Sequence, residues 1–150
     1  MKSKIPPLVV ALVFAIAMFA LAKILPVGYF DFFGRQYLVV VLIGLAFFLG
    51  SVALFQFWRQ KTTHNPLTPH KASFLVTNGV YRFTRNPMYL ALLLLLLAWG
   101  TWLGNAFNTL LAAGFVSFMN RFQIGPEEEA LTVLFGKAYR QYLLNVRRWF

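Results

Sequence analysis

Apolar residues gather into four long blocks separated by short polar breaks. The blocks run from about Ile5 to Leu25, Tyr37 to Trp58, Met88 to Leu103 and Ala106 to Ile124. A helix needs roughly 20 apolar residues to cross about 30 Å of hydrocarbon. The first two blocks meet that length easily. The third and fourth are short, which predicts a tilted or partly sunken hairpin turning at Gly104-Asn105. The expected fold is therefore all-α and integral to a membrane. It has about four transmembrane helices, followed by an amphipathic C-terminal helix over 126–150, in one domain spanning residues 1–150.

Composition supports this pattern. The chain is 59% hydrophobic and only 12% charged, with a mean hydropathy of +0.65. A soluble domain carries about 25% charged residues, so too few polar side chains exist here to cover a water-exposed surface. There is no cysteine, which excludes a disulfide framework and a thiolate metal site.

The formal net charge of +10 would suggest nucleic acid on a soluble protein. Here the basic residues flank apolar spans instead, as topology and attraction to anionic lipid require. No separate basic face exists, so nucleic acid is not expected as a partner. Lys2 and Lys4 precede the first span, and Lys23 and Arg35 surround the first loop. Five basic residues lie between Arg59 and Arg85, none lies between the third and fourth spans, and five lie from Arg121 onward. That bias puts both termini and the loop 59–86 on the cytoplasmic side, consistent with a multi-pass protein of a bacterial inner membrane.

The first block also resembles a signal peptide, with Lys2 and Lys4 ahead of it and Ala20-Leu21-Ala22 as a cleavage-like site. Its apolar run is longer than a usual signal core, and Pro6-Pro7 opens it where helix starts tolerate proline. Both features favour a retained helix. The loop from Arg59 to Asn86 is polar, holds Pro66, Pro69 and Gly79, and shows no clear period. Long loops of this kind are often functional. From Pro126, Leu131, Leu134, Phe135, Ala138, Tyr142 and Val146 recur at helical spacing opposite Lys137, Arg140 and Gln141. Arg147, Arg148, Trp149 and Phe150 suit an interfacial anchor.

Two clusters carry candidate chemistry. The first is the segment Gly79 to Tyr89, rich in Arg and Tyr, set directly against the apolar run that begins at Leu90. Asn86-Pro87 reads as the cap and first residue of the third helix. Its free N–H groups make a site for a carboxylate or phosphate, with Arg82 and Arg85 as fixed cations and Tyr81 and Tyr89 beside them. Composition alone fits snorkelling arginines and a tyrosine belt equally well.

The second cluster is Glu127-Glu128-Glu129, which holds three of the four acids in the chain. A helix dipole favours acids in the first turn by about 0.3–1 kcal/mol each, which accounts for one or two of them. An acidic cluster near a membrane also suits ribose hydroxyls or an ammonium group. His64 and His70 have no acid nearby, and zinc needs three or four convergent ligands, so no metal is expected. No phosphate-cradling loop, dinucleotide glycine fingerprint or nucleophile elbow occurs. The Gly100 to Gly104 spacing matches a helix-pairing motif but falls at a turn.

The stretch Leu75-Val76-Thr77-Asn78-Gly79-Val80-Tyr81-Arg82-Phe83-Thr84-Arg85-Asn86-Pro87-Met88-Tyr89-Leu90 closely resembles the signature of the isoprenylcysteine carboxyl methyltransferase family, to which the phospholipid N-methyltransferases are related. Upstream, Thr62-Thr63-x-Asn65-Pro66 resembles a loop of bacterial members. Downstream, Glu127-Glu128, Leu131, Phe135-Gly136, Tyr139, Tyr142, Val146 and Arg148-Trp149 resemble the second block of the family. The likeness covers about residues 62–149 in two ordered blocks. Asn86 stands where the eukaryotic enzymes usually carry His, which keeps a capping side chain and removes a titratable one.

The resemblance implies an enzyme that transfers a methyl group from S-adenosylmethionine to a lipidic or prenylated acceptor. It implies Arg85 and Glu128 as the residues that matter most. Gly79, Tyr81, Arg82, Asn86, Pro87, Tyr89, Glu127 and Tyr139 complete the expected cofactor site. Arg85 and the helix start would take the cofactor carboxylate. Glu127 or Glu128 would take the ammonium or ribose, and the tyrosines would face the adenine and sulfonium. The acceptor itself is left open by the sequence: a carboxylate, an amine or a thiol on a lipid. The apolar walls suit any acyl or prenyl chain.

Overall fold

Pro6-Pro7 opens the first helix where a missing backbone N–H has no intrahelical partner to lose. In the computed structural model, which describes residues 5–59 and 75–150, this helix is α1, Pro7–Ile24. Next come α2 (Arg35–Arg59), a 3-10 turn (Gly79–Arg82), α3 (Pro87–Leu103) and α4 (Asn108–Met119). A π-helical turn (Asn120–Ile124) leads into α5 (Gly125–Phe135), and α6 (Lys137–Asn145) follows. No strand occurs among the described residues. Lys2, Lys4, His64, His70 and the Thr62 to Pro66 stretch lie outside them.

Helices α1 and α2 are long and apolar enough to cross a membrane, while α3 is shorter, at 17 residues. At 1.5 Å per residue, α3 reaches about 26 Å. Much of the apolar surface of α1 and α2 faces outward, including Ile16, Val40, Phe47 and Phe48. Outward apolar faces on packed helices are what a lipid environment permits.

The third and fourth blocks form the expected hairpin. Gly104 caps α3 in the left-handed conformation, with φ of +71°, which glycine adopts without a Cβ penalty. Asn105 is fully buried there and donates to the Leu25 and Val27 carbonyls while accepting from Phe107 N–H. The core sits between α1, α3 and α4. Met18, Phe115, Met119 and Ile124 are wholly enclosed, and Phe14 meets Phe115 edge to face at 5.7 Å. A smaller cluster of Ala53, Val76 and Tyr81 ties the 3-10 turn to α2.

The C-terminal half departs from expectation in two respects. The fourth block does not end before Pro126, because the helical path continues through the π-turn into α5. A proline ring clashes with the carbonyl four residues earlier in a straight α-helix, and the wider π-turn relieves that clash. The single amphipathic helix expected over 126–150 is split in two. Gly136, with φ of +53° and ψ of −120°, ends α5 and starts α6. Of the expected apolar face, Tyr142 is buried while Leu134 and Ala138 are exposed, and Tyr139, outside that face, is buried.

Candidate functional site

The segment before α3 is anchored from both sides. Val80 N–H donates to the Gln56 side-chain carbonyl at 3.3 Å, which ties the 3-10 turn beside Gly79 to α2. The Tyr81 ring packs edge to face on Phe57 at 5.4 Å. From the other side, the chain after α6 crosses over the start of α3. Arg85 N–H donates to the Arg147 carbonyl at 3.0 Å. The Arg148 carbonyl accepts from Thr84 Oγ1 at 3.3 Å and from Asn86 Nδ2 at 2.9 Å. Trp149 Nε1 donates to Asn120 Oδ1 in the π-turn at 3.0 Å.

Asn86 therefore occupies the cap position with Pro87 as the first helical residue, as the sequence predicts, but its side chain does not cap. Its amide is used across 62 positions of chain, by the Arg148 carbonyl. Its Nδ2 donates to this distant carbonyl, and its Oδ1 accepts no N–H of its own helix.

Beneath this strap lies an ionic group in which Arg85 and Glu128 are nearly enclosed and Arg148 is partly exposed. Glu128 accepts from Arg148 through both oxygens, at 3.1 Å from Nε and 2.5 Å from Nη2. Arg85 Nη2 lies 3.4 Å from Glu128 Oε1, and both side chains are nearly enclosed, at 13% and 14% exposed. Arg85 Nε is buried with no hydrogen-bond partner, and so is the Tyr81 hydroxyl. Two guanidiniums thus face one carboxylate. The bond to Glu128 holds the Arg148 guanidinium above its ordinary range, against a smaller opposing effect of burial.

Glu127 faces elsewhere. The Tyr89 hydroxyl donates to its carboxylate. Burial pushes the Glu127 carboxyl up to about 8; the Tyr89 bond opposes this and neighbouring Glu128 adds to it. The next acid, Glu129, is exposed. Tyr139 is buried close to the ionic group, and burial followed by the Glu128 charge raises its hydroxyl, against the pull of Arg85. Burial raises Tyr142 as well, again opposed by Arg85. The Tyr142 hydroxyl donates to the Tyr81 carbonyl at 2.6 Å.

Of the residues expected from sequence, Tyr81, Arg85, Asn86, Pro87, Tyr89, Glu127, Glu128 and Tyr139 converge on this end of the bundle. Arg82 is exposed, and Gly79 serves the turn against Gln56 rather than the ionic group. Sequence reasoning missed Arg148, Tyr142 and Thr84 as members of the cluster. The signal for Arg148 was its place, with Trp149, in the second block of the family resemblance.

Next to the cluster, an apolar groove of about 460 Å³ runs between α1, α2 and α3. Tyr89 and Met88 line it at the start of α3, with Gly50 and Ala91 farther along. Leu8, Phe47 and Leu54, also in its walls, are exposed on the outside of the bundle.

The chain matches the phospholipid methyltransferase family over residues 34–138. It belongs to that family. Membership implies methyltransferase chemistry in a membrane setting. The matched region holds α2, the 3-10 turn, both glutamates and the start of α6, while Tyr139, Tyr142 and Arg148 fall just beyond it. A protein of Haemophilus influenzae, described as an uncharacterized protein, is 52% identical over 62 residues, which is 41% of this chain and 98% of that one. No solved structure matches.

Proposed function

We propose that the chain is an S-adenosylmethionine-dependent methyltransferase, embedded as one domain of four spans, that acts on a lipidic or lipid-anchored acceptor. Its signature over Leu75 to Leu90 resembles that of the isoprenylcysteine carboxyl methyltransferases, and the alternative is a phospholipid amine N-methyltransferase. The bundle sits in a bacterial inner membrane, with both termini and the cofactor site on the cytoplasmic side, as the basic flanks favour. The observation that carries this reading is an enclosed cation in excess. Arg85 and Arg148 share one carboxylate, and Arg85 Nε has no partner. A buried guanidinium donor left unpaired is costly, and the carboxylate of the cofactor would satisfy it in a charge-assisted bond.

The residues divide the work by charge. Arg85 takes the carboxylate, Glu128 offers an oxygen to the ammonium or ribose, and Tyr81 and Tyr139 provide ring faces and hydroxyls. When bound, S-adenosylmethionine supplies an electrophilic methyl group. Displacement at such a carbon needs alignment and exclusion of water more than an acid or a metal. The enclosed cluster and the adjoining groove supply both requirements.

The test is calorimetric titration of the detergent-solubilised protein with S-adenosylmethionine. Wild type is expected to bind, and Arg85→Ala to lose at least about 100-fold in affinity, the scale of a charge-assisted bond plus a stranded ion. Absence of heat with wild type, or unchanged affinity in the variant, would sink the assignment.

A further inference from the structure

The C-terminal residues Arg147 to Phe150 read from sequence as a single interfacial anchor, and the structure divides them. Arg148 turns inward to Glu128, and Trp149 packs on the core with its Nε1 bonded to Asn120. Arg147 and Phe150 stay outside, Phe150 at 78% exposed. This strap thus has an inner side that closes the ionic group and an outer side left to the surroundings.

Helix α6 is divided in the same way. Tyr139 and Tyr142 are buried, whereas Lys137, Arg140 and Leu144 are exposed, Leu144 at 82%. At about 100° per residue, these three fall within about 60° of helix surface, opposite the tyrosines. The 3-10 turn adjoins α6 through the Tyr142 hydroxyl on the Tyr81 carbonyl, and it adds exposed Arg82 and Phe83. We propose that the outer face of α6 and the strap docks on anionic phospholipid of the membrane that holds the bundle, and that docking keeps the strap closed over Arg85 and Glu128.

The charge on this face has one sign. None of Arg82, Lys137, Arg140 and Arg147 joins an ion pair among the described residues. The exposed acid at this end is Glu129. Cations near an anionic leaflet each add attraction. Leu144 and Phe150 stand among those cations, and large apolar side chains in that company suit the boundary between head groups and acyl chains. A soluble anion would match the cations and leave Leu144 in water.

The path from this face to the ionic group is short. The Arg147 carbonyl accepts from Arg85 N–H at 3.0 Å, and the next residue carries the guanidinium that grips Glu128. Arg148 is 36% exposed against 14% for Glu128, so the ionic group meets solvent on the strap side. A head group that holds the Arg147 side chain therefore steadies both contacts.

The test places the full chain in nanodiscs of phosphatidylcholine, alone or mixed with phosphatidylglycerol, with no cofactor present. Hydrogen exchange of the Arg85 amide, which is bonded to the strap, reads closure directly. Phosphatidylglycerol should slow that exchange by about tenfold or more, the scale of two lipid-bound cations. Lys137→Gln combined with Arg140→Gln should lose most of the slowing and match wild type in phosphatidylcholine. Added salt should weaken the slowing in wild type, which keeps the test informative should the double variant fail to fold.

Equal exchange in the two nanodiscs overturns the proposal, as does slowing that survives both the double variant and salt. Inorganic phosphate slowing exchange in phosphatidylcholine as much as phosphatidylglycerol does would assign the face to a soluble anion, and overturns it too. The proposal goes beyond the methyltransferase reading and needs no cofactor. Strap protection by phosphatidylglycerol in a protein that binds no S-adenosylmethionine supports the docking and overturns only that reading.

Discussion

Two arginine–carboxylate pairs sit at opposite ends of the bundle and have almost the same length. Arg35 Nε lies 3.3 Å from Asp31 beside the turn that precedes α2, and Arg85 Nη2 lies 3.4 Å from Glu128 near the start of α3. Their surroundings differ entirely. Asp31 is 81% exposed, whereas Glu128 is 14% exposed. An exposed pair contributes little beyond about 0.5 kcal/mol. An enclosed pair must offset the loss of hydration of both ions and is weak evidence for stability. Distance is therefore a poor guide to role. The exposed pair is a local i to i+4 contact, while the enclosed one gathers groups from three separate parts of the chain. An arrangement of that kind, with one guanidinium nitrogen still unpartnered, is the observation on which the proposed cofactor site rests.

The comparison can be broken most forcefully at Glu128. Replacing it by Gln leaves Arg85 and Arg148 facing each other without a counter-charge. Thermal unfolding in detergent should show a loss of roughly 3 kcal/mol, and an added anion such as sulfate should partly restore it. A variant as stable as wild type would mean the two arginines find other partners.

Glu127 gives a smaller effect with a definite sign. Its carboxyl is raised by burial to about 8 in the native protein from an ordinary value of 4.5. Below pH 4.5 it is protonated in both states and has no influence. Between about 4.5 and 8 the unfolded chain binds fewer protons than the native one, so this group lowers stability as pH rises, and the effect levels off above 8. Melting curves of wild type and Glu127→Gln should diverge across that window, with wild type falling relative to the variant. Parallel curves would show that Glu127 is not held protonated.

The smallest effect belongs to the exposed pair. Asp31→Asn should change stability by less than about 0.5 kcal/mol, and added salt should erase the difference. A larger loss would mean that Asp31 also shapes the turn, where one of its oxygens accepts from Phe32 N–H at 3.0 Å.

Much of the scaffold was legible in advance because it follows local rules. Pro6-Pro7 and Asn86-Pro87 mark helix starts through a missing donor and a preset φ, and α1 and α3 begin there. Gly104-Asn105 marks the hairpin because only a left-handed residue turns the chain so tightly after a helix. The break at Gly136 was harder to see. Periodicity across it read as one helix, because a single glycine is tolerated in a helical pattern at about 1 kcal/mol. Only the positive φ observed there distinguishes a break from a tolerated residue.

The candidate site was legible as a list of residue types and not as an arrangement. The arginines, tyrosines and paired glutamates stood out because charged groups are scarce in so apolar a chain. Periodicity could not bring Arg148 onto Glu128, or turn Asn86 away from its own helix toward a carbonyl 62 positions later. Nor could it separate Glu127 from Glu128, since adjacent helical residues point about 100° apart and their partners come from different elements.

The sequence by itself determined the apolar helices, their starts and turns, and the scarcity of acids, because these depend on neighbours within a few residues. Only the tertiary structure decided which carboxylate meets arginine, which meets tyrosine, and where an apolar groove adjoins them. Those outcomes depend on how ions and rings lose water together, which no stretch of chain can do alone.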